Sequence, residues 1–547
     1  MGRSLLFRNF NQAMRITLYC KKNQLANSQG IEQLARLRTR MKTEQTNLRH
    51  SHTAVSHVGG VQQQPQYSDL TPNKSDVKIA IVGAGLAGLA CGYELKQHNI
   101  FATLYEASNR AGGRCFSLGG SFPGAVNFPN QVVERGGEFI DSQHKTLLRL
   151  AKQFNLTLND LSEQPGDIAS FFNGQPYKAS AIIDEYRDFL AAIDADLRAL
   201  SSKPTADNHT DADVWFDNIN LQSYLETRQP GEIIKAVIKS AYMAEYGLEL
   251  EEQSCLNFLV VVHEIEKSKA TPFSIFSDEC YHIAGGNEQI VRCLSNELQE
   301  QINLGMKLVR VRKNSMNCFE LTFDNGCHTT TIEYDAVVLA IPFPVLRQVE
   351  LDPSLELPKW KQEAINKLDN ATHAKMMLGF NGRPWVNFDS NGTSYSNLPN
   401  HQATWEANPT GATSAHAVLV DYSSGKRGAT LNPKEVQQEA NLFLKDVEQI
   451  YPGAIAAANR DRQGNLVAHL EHWTSNPLAG GSYACYKPGQ FTTIAGNEGK
   501  AVDKLFFAGE HTNSFYEWQG YMEGAVLSGI EAANGILQHL KLKILRC

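Results

Sequence analysis

The ten cysteines of this 547-residue chain never stand two residues apart in a C-x-x-C pair. Neither a zinc site nor a disulfide framework is indicated, no metal is expected, and scattered single thiols fit a reducing, cytoplasmic setting. Long apolar runs are also missing. None approaches the ~18 residues of a membrane span, so no transmembrane segment is expected. The longest, near Phe258–Val262 and Ala336–Ile341, read as buried strands or pieces of core helix. A basic face is lacking too. The net charge is −7, and residues 1–75 hold 11 Lys and Arg against 3 Asp and Glu, leaving 40 basic and 55 acidic residues elsewhere. So acidic a body argues against nucleic acid as a partner, because phosphate binding needs a positive surface.

What is present is ordinary in bulk. Apolar residues make up 42% and charged residues 20%, which excludes a disordered or fibrous chain. The length suffices for a few domain-sized cores. Residues 1–75 read as a basic, polar extension, disordered or targeting. The opening Met1-Gly2-Arg3-Ser4-Leu5-Leu6 lacks the continuous apolar stretch of a secretory signal and puts Leu6 where a myristoylation signal wants Ser or Thr. An organelle address or a peripheral membrane contact through this extension is the alternative to a plain cytoplasmic protein.

At Val77 the texture changes. Val77–Val82 reads as a short buried strand, Gly83-Ala84-Gly85-Leu86-Ala87-Gly88 follows, Leu89–Lys96 continues as a helix, and Ala102–Tyr105 forms a second strand that ends at Glu106. In this G-x-G-x-x-G, Gly83 permits a tight turn, Gly85 lets backbone approach a pyrophosphate, and Gly88 lets helix and strand pack closely. The helix start offers N–H groups to phosphate, and Glu106 is placed to accept ribose hydroxyls. The element as a whole predicts a dinucleotide-binding fold without choosing between NAD and FAD. Farther on, residues 146–276 read as helical. Tyr186, Phe189, Leu190, Ile193, Leu197 and Leu200 recur at spacings of three and four and make one core face. Lys307–Arg312, Phe319–Phe323 and Val337–Ile341 read as strands, with a turn at Asp324-Asn325-Gly326, and a last helix is expected over about 520–540.

Arg110-Ala111-Gly112-Gly113-Arg114, directly after Glu106, resembles the flavin-containing amine oxidase family, and the resemblance spans about residues 77–540. Glu134-Arg135-Gly136-Gly137-Glu138-Phe139-Ile140 is similar to the family's second flavin-contacting segment. Tyr246-Gly247 before Ser254 and Gly285-Gly286-Asn287 match further family signatures, and Leu308 stands where the family's backbone meets adenine. Phe507-Ala508-Gly509-Glu510 and Trp518-Gln519-Gly520-Tyr521-Met522-Glu523-Gly524-Ala525 resemble the monoamine oxidase pattern most closely.

The resemblance implies an α/β fold: a discontinuous, Rossmann-like FAD domain (76–145, 277–345 and 498–547) beside a mixed α+β substrate domain with a helical subregion (146–276 and 346–497). It implies FAD held by Gly83, Gly85, Ala87, Gly88, Glu106, Ala107, Arg114, Gly136, Gly137, Glu138, Phe139, Leu308, Gly509, Glu510, Gly520, Tyr521, Met522 and Ala525. Tyr483, in Gly480-Gly481-Ser482-Tyr483, and Tyr521 match the two tyrosines of the family's aromatic cage. Lys375 matches the lysine that holds a water near the flavin. Ser482 departs from the monoamine oxidases, where a cysteine bonds the flavin, so the FAD is expected to be non-covalent.

The activity implied is oxidative deamination of a primary amine, a monoamine or polyamine, with dioxygen giving hydrogen peroxide. An L-amino-acid oxidase is the alternative; it needs an arginine to clamp the substrate carboxylate, with Arg187, Arg198 and Arg228 as candidates. A desaturase-type oxidase and a flavin-stabilised scaffold without turnover are further from the pattern. Trp473, His511 and Glu517 are expected to line or support the site, and a homodimer is compatible with the family.

Overall fold

The computed structural model describes residues 77–544 apart from 123, 125, 127, 162–163, 268–277 and 410–414. The basic extension, and whatever address it carries, lies outside the described residues. Short β-branched segments that alternate with helical ones make a parallel sheet the expected core. Five parallel strands lie in the order Leu505–Phe507, Ala336–Leu339, Ile79–Val82, Thr103–Tyr105, Ile302–Asn303. Val82 is level with both Leu339 and Tyr105, so these strands end side by side. The helix Leu86–Gln97 follows the glycine turn, and the last helix, Met522–Ile544, packs across it. Gly529 makes that crossing possible: a Cβ there would come within 2.1 Å of the Ala87 carbonyl oxygen.

Two further sheets complete the frame. Lys307–Lys313, Phe319–Asp324 and Thr329–Tyr334 form an antiparallel meander, with the short strand Glu350–Leu351 parallel at its edge. A larger sheet of seven strands carries Ala374–Asn381 between His416–Ser423 and Ala468–His472. The helix Ala179–Ala199 buries all six residues of the predicted face, with Leu256–Lys267 among the helices packed near it. No helix among the described residues is long and apolar enough to cross a membrane.

Two expectations change and one open reading is decided. Residues 146–276 are not uniformly helical: Leu158–Asp160 pairs with Tyr281–Ile283, and Asp167–Phe172 with Gln175–Tyr177 form a hairpin. Its turn is Asn173-Gly174, both at positive φ (53° and 79°), the geometry that a tight two-residue hairpin demands. The apolar run Phe258–Val262 belongs to a helix and not a strand. The first helix begins three residues earlier than expected, at Leu86, because Gly85 already serves as its N-cap.

Candidate active site

A cleft follows the carboxyl ends of the parallel strands, from Glu106 to Tyr521. The three glycines of the first turn differ in what forces them. Gly83 has φ +101°, and a Cβ there would lie 2.4 Å from the Ala340 carbonyl oxygen; at Gly88 it would lie 1.8 Å from the Gly83 carbonyl oxygen. Gly85 has ordinary extended backbone, and a Cβ on it would meet nothing within 4 Å. Nothing in the folded chain requires that glycine, so the room it leaves is room for a ligand. The helix it opens has no side-chain N-cap bond and no acid in its first turn. Its first N–H groups and dipole end are therefore available to an anion.

Glu106 stands at the end of the second strand, as expected. One carboxylate oxygen accepts the Ala84 N–H at 2.9 Å, and the other accepts the Ser108 N–H and hydroxyl at 2.9 and 2.8 Å. This holds the carboxylate at the cleft with acceptor capacity left for ribose. Ala87, Ala107 and Leu308 line the same end, and Gly509, Met522 and Ala525 the other. Arg114 crosses the cleft: its guanidinium donates to Glu510 Oε1 at 2.7 Å and to the Ser482 carbonyl at 2.6 Å. Burial is the largest effect and works against ionised Glu510, yet the charge and hydrogen bond of Arg114, together with His511, hold that carboxyl below its ordinary value.

The remaining expected residues stand one layer behind. Gly137 N–H donates to the Arg114 carbonyl at 3.0 Å, and a Cβ on Gly136 would lie 1.8 Å from that same oxygen. Gly520 N–H donates to Glu510 Oε2 at 3.1 Å. Phe139 packs on Trp405, ring centroids 5.5 Å apart. Lys375 is 2% exposed, the opposite of a solvated strand-edge lysine. Its ammonium donates to Glu138 Oε2 at 2.6 Å and to the carbonyls of Gly136 and Glu134 at 2.9 and 3.1 Å. The other oxygen of Glu138 accepts Trp405 Nε1–H at 2.8 Å. Lys375 thus grips the whole 134–138 segment from behind.

Tyr521 lines the cleft and is buried edge-on against Trp518 and His144. Tyr483 is buried beyond Gly520, where a Cβ would lie 3.4 Å from its ring, and it lines a small adjoining pocket with Glu245 and Gln519. The rings of His373 and Tyr422 stack on it in turn: Tyr483 to His373 at 4.7 Å, His373 to Tyr422 at 4.5 Å. Sequence reading missed His373, Tyr422 and Trp405. His373 had a weak signal, since it stands two residues before Lys375, just outside the strand Ala374–Asn381. Tyr422 and Trp405 had none. Lys375 is opposite Tyr422, and Val420 opposite Trp405, only through pairing of strands distant in sequence. Trp473 lines the cleft, His511 is buried against Phe343, and Glu517 is exposed.

Fold and cleft together define a dinucleotide-binding protein whose cleft runs from the glycine turn to the aromatic side chains of Trp473 and Tyr521. The family model described as flavin containing amine oxidoreductase matches residues 86–537, and the chain belongs to that family. It is a flavin-dependent oxidoreductase, and the flavin that fits a dinucleotide cleft is FAD. Among curated proteins it is similar to the putative L-amino-acid oxidase YobN of Bacillus subtilis, 22% identical over 85% of this chain and 95% of that protein. It is also similar to the probable polyamine oxidase 4 of Arabidopsis thaliana, 24% identical over 86% of this chain and 90% of that protein. Among solved structures, cyclohexylamine oxidase from Brevibacterium oxydans IH-35A superposes with a TM-score of 0.71 at 20% identity, covering 85% of this chain and all of that one.

Proposed function

We propose that the protein oxidises a primary amine to its imine, which water converts to aldehyde and ammonia, while dioxygen becomes hydrogen peroxide. Bound FAD supplies the two-electron chemistry, as acceptor from the amine's α-carbon and donor to dioxygen. The residues of the chain bind, orient and keep water out. Gly83, Gly85 and the following helix start hold the pyrophosphate, and Glu106 the ribose. Arg114, Glu510 and the 509–525 turn support the flavin end without a covalent bond. Tyr483 and Tyr521 present ring faces to the substrate nitrogen, and Lys375 fixes the segment that backs the flavin.

The observation that carries the choice of an amine is the charge around Tyr422. Burial, and then the negative charges of Glu245, Glu279 and Glu138, push its hydroxyl well above the ordinary phenol value. All three carboxylates are buried. Lys375 answers the charge of Glu138, and the carboxylates of Glu245 and Glu279 that remain disfavour an α-carboxylate. The amino-acid reading needs a free arginine clamp; Arg228 is held by both oxygens of Asp196 at 2.7 and 2.9 Å and Arg198 pairs with Asp194, which leaves Arg187, with one buried guanidinium nitrogen unpartnered, as its remaining candidate.

Peroxide release from matched pairs is the test: tyramine with tyrosine, phenethylamine with phenylalanine, cadaverine with lysine. Turnover confined to the amines supports the proposal. Turnover confined to the amino acids replaces it with the L-amino-acid oxidase reading.

A further inference from the structure

His373 is fully buried, 0% exposed, immediately before the strand Ala374–Asn381 that carries Lys375. Every atom of its ring that can make a polar contact is engaged. Nε2 lies 2.9 Å from the Ala244 carbonyl, which can only accept, so Nε2 carries the proton. Nδ1 is then the acceptor and receives the Ser482 hydroxyl at 2.6 Å, the shorter of that oxygen's two contacts; the other is the Ala371 carbonyl at 3.0 Å. Burial pushes the imidazole down to about 3, so the ring is neutral near pH 7. The two faces of the ring are covered as well. Tyr422 stacks at 4.5 Å and 10°, Tyr483 at 4.7 Å and 23°. Space for the ring is reserved by Gly247, where a Cβ would come within 2.3 Å of it. The Tyr483 hydroxyl donates to the Glu245 carbonyl and lies 3.3 Å from His373 Nε2, which ties the far end of the tyrosine to the same post.

We propose that His373 is a positioning residue for amine oxidation: a neutral imidazole, clamped by Ser482 and Ala244, that sets the plane of the Tyr483 ring. The inference rests on the reading that Tyr483 meets the substrate. It also gives Ser482 a task. The hydroxyl points away from the cleft and orients the histidine that orients the tyrosine. Two stacked aromatic contacts and three hydrogen bonds act on one ring, which leaves Tyr483 a single orientation.

The test is a double-mutant cycle on the FAD-loaded enzyme, read as kcat/KM for phenethylamine and as near-ultraviolet circular dichroism. His373→Asn removes the ring and keeps a donor and an acceptor. It is expected to lower kcat/KM about tenfold, the equivalent of one lost aromatic stack, with flavin content unchanged. It also diminishes the tyrosine dichroism while the far-ultraviolet signal stays. In a Tyr483→Ala background, itself impaired, His373→Asn has no further effect on kcat/KM. Equal losses from His373→Asn in both backgrounds, or wild-type kcat/KM in the single variant, overturn the inference and leave the cage reading standing. Wild-type kcat/KM in Tyr483→Ala removes the cage reading and the inference with it. If His373→Asn does not fold, Ser482→Ala serves in its place: a loss of about threefold that disappears in the Tyr483→Ala background supports the inference, and an additive loss refutes it.

Discussion

Lys375 and Glu138 form an ion pair at 2.6 Å with both side chains 3% exposed, and the pair joins the large sheet to the segment behind the cofactor cleft. The three donors of the ammonium match three acceptors, Glu138 Oε2 and the carbonyls of Glu134 and Gly136. The lysine is therefore a brace as much as a reagent. Trp405 holds the second carboxylate oxygen, so the pair is saturated on both sides.

Removing one partner of such a pair leaves a buried charge unanswered, at a cost of about 3–5 kcal/mol. Lys375→Met is expected to keep FAD but to unfold at a clearly lower temperature and to turn over amine more slowly. Lys375→Met with Glu138→Gln recovers part of the lost stability, because no lone carboxylate remains. Thermal unfolding of the three holoproteins and their peroxide rates check this. Unchanged rate and melting temperature in Lys375→Met would mean that the brace does nothing.

Gly85 and Gly88 separate ligand from fold. Gly88→Ala drives a methyl to 1.8 Å from the Gly83 carbonyl oxygen, and stability is expected to fall by at least about 1–3 kcal/mol. Gly85→Ala meets no protein atom within 4 Å and has φ −73°, so the apoprotein keeps its stability to within ~0.5 kcal/mol. Its FAD affinity falls about tenfold or more, the loss of ~1.4 kcal/mol. Apoprotein melting and FAD titration distinguish the two glycines, and equal behaviour of both would contradict the assignment of Gly85 to the cofactor.

The parallel sheet and glycine turn were legible because short-range rules govern them: the β-branched runs, the glycine spacing and the acid at Glu106 all act within about thirty residues. The face from Tyr186 to Leu200 was legible for the same reason. The hairpin at Asn173-Gly174 carried its own turn signal inside a segment read as helix, and the strong periodicity that follows it masked that signal. The stack of Tyr422, His373 and Tyr483 could not be read. Its members come from three strands or loops, and only the pairing of Lys375 with Tyr422 and of Asn370 with Ala484 puts them together. Long-range register is set by the whole core, and a single sequence does not display it.

Ser482 has its hydroxyl committed to His373 at 2.6 Å and is fully buried. Cys485 is buried as well, and burial pushes its thiol far above the ordinary value, away from the reactive thiolate. Acid or denaturant is therefore expected to release intact FAD into the filtrate. Absorbance at the flavin band measured on both fractions decides it; colour retained by the precipitated chain would overturn the non-covalent assignment.

Glu134 is the buried acid beside this site. Burial raises its carboxyl from 4.5 to about 8, against hydrogen bonds from Asn287 N–H and Ser117 and the charge of Lys375, which lower it. The folded chain therefore keeps a proton between pH 4.5 and 8 that the unfolded chain has lost. Stability falls as pH rises wherever the folded state binds more protons, so this contribution is full below pH 4.5 and gone above pH 8. The full span corresponds to roughly 5 kcal/mol. Glu134→Gln mimics the protonated acid, keeping an acceptor for Asn287 and a donor for Ser117, and it cannot ionise. Melting temperatures of the variant and the natural chain should nearly coincide at pH 5 and diverge in favour of the variant toward pH 9. The difference cancels the other buried groups that titrate near neutrality, Lys361 and Glu498, both brought to about 7. Parallel curves over that range would show that Glu134 is ionised in the fold, with Lys375 shared between two carboxylates instead of paired with one.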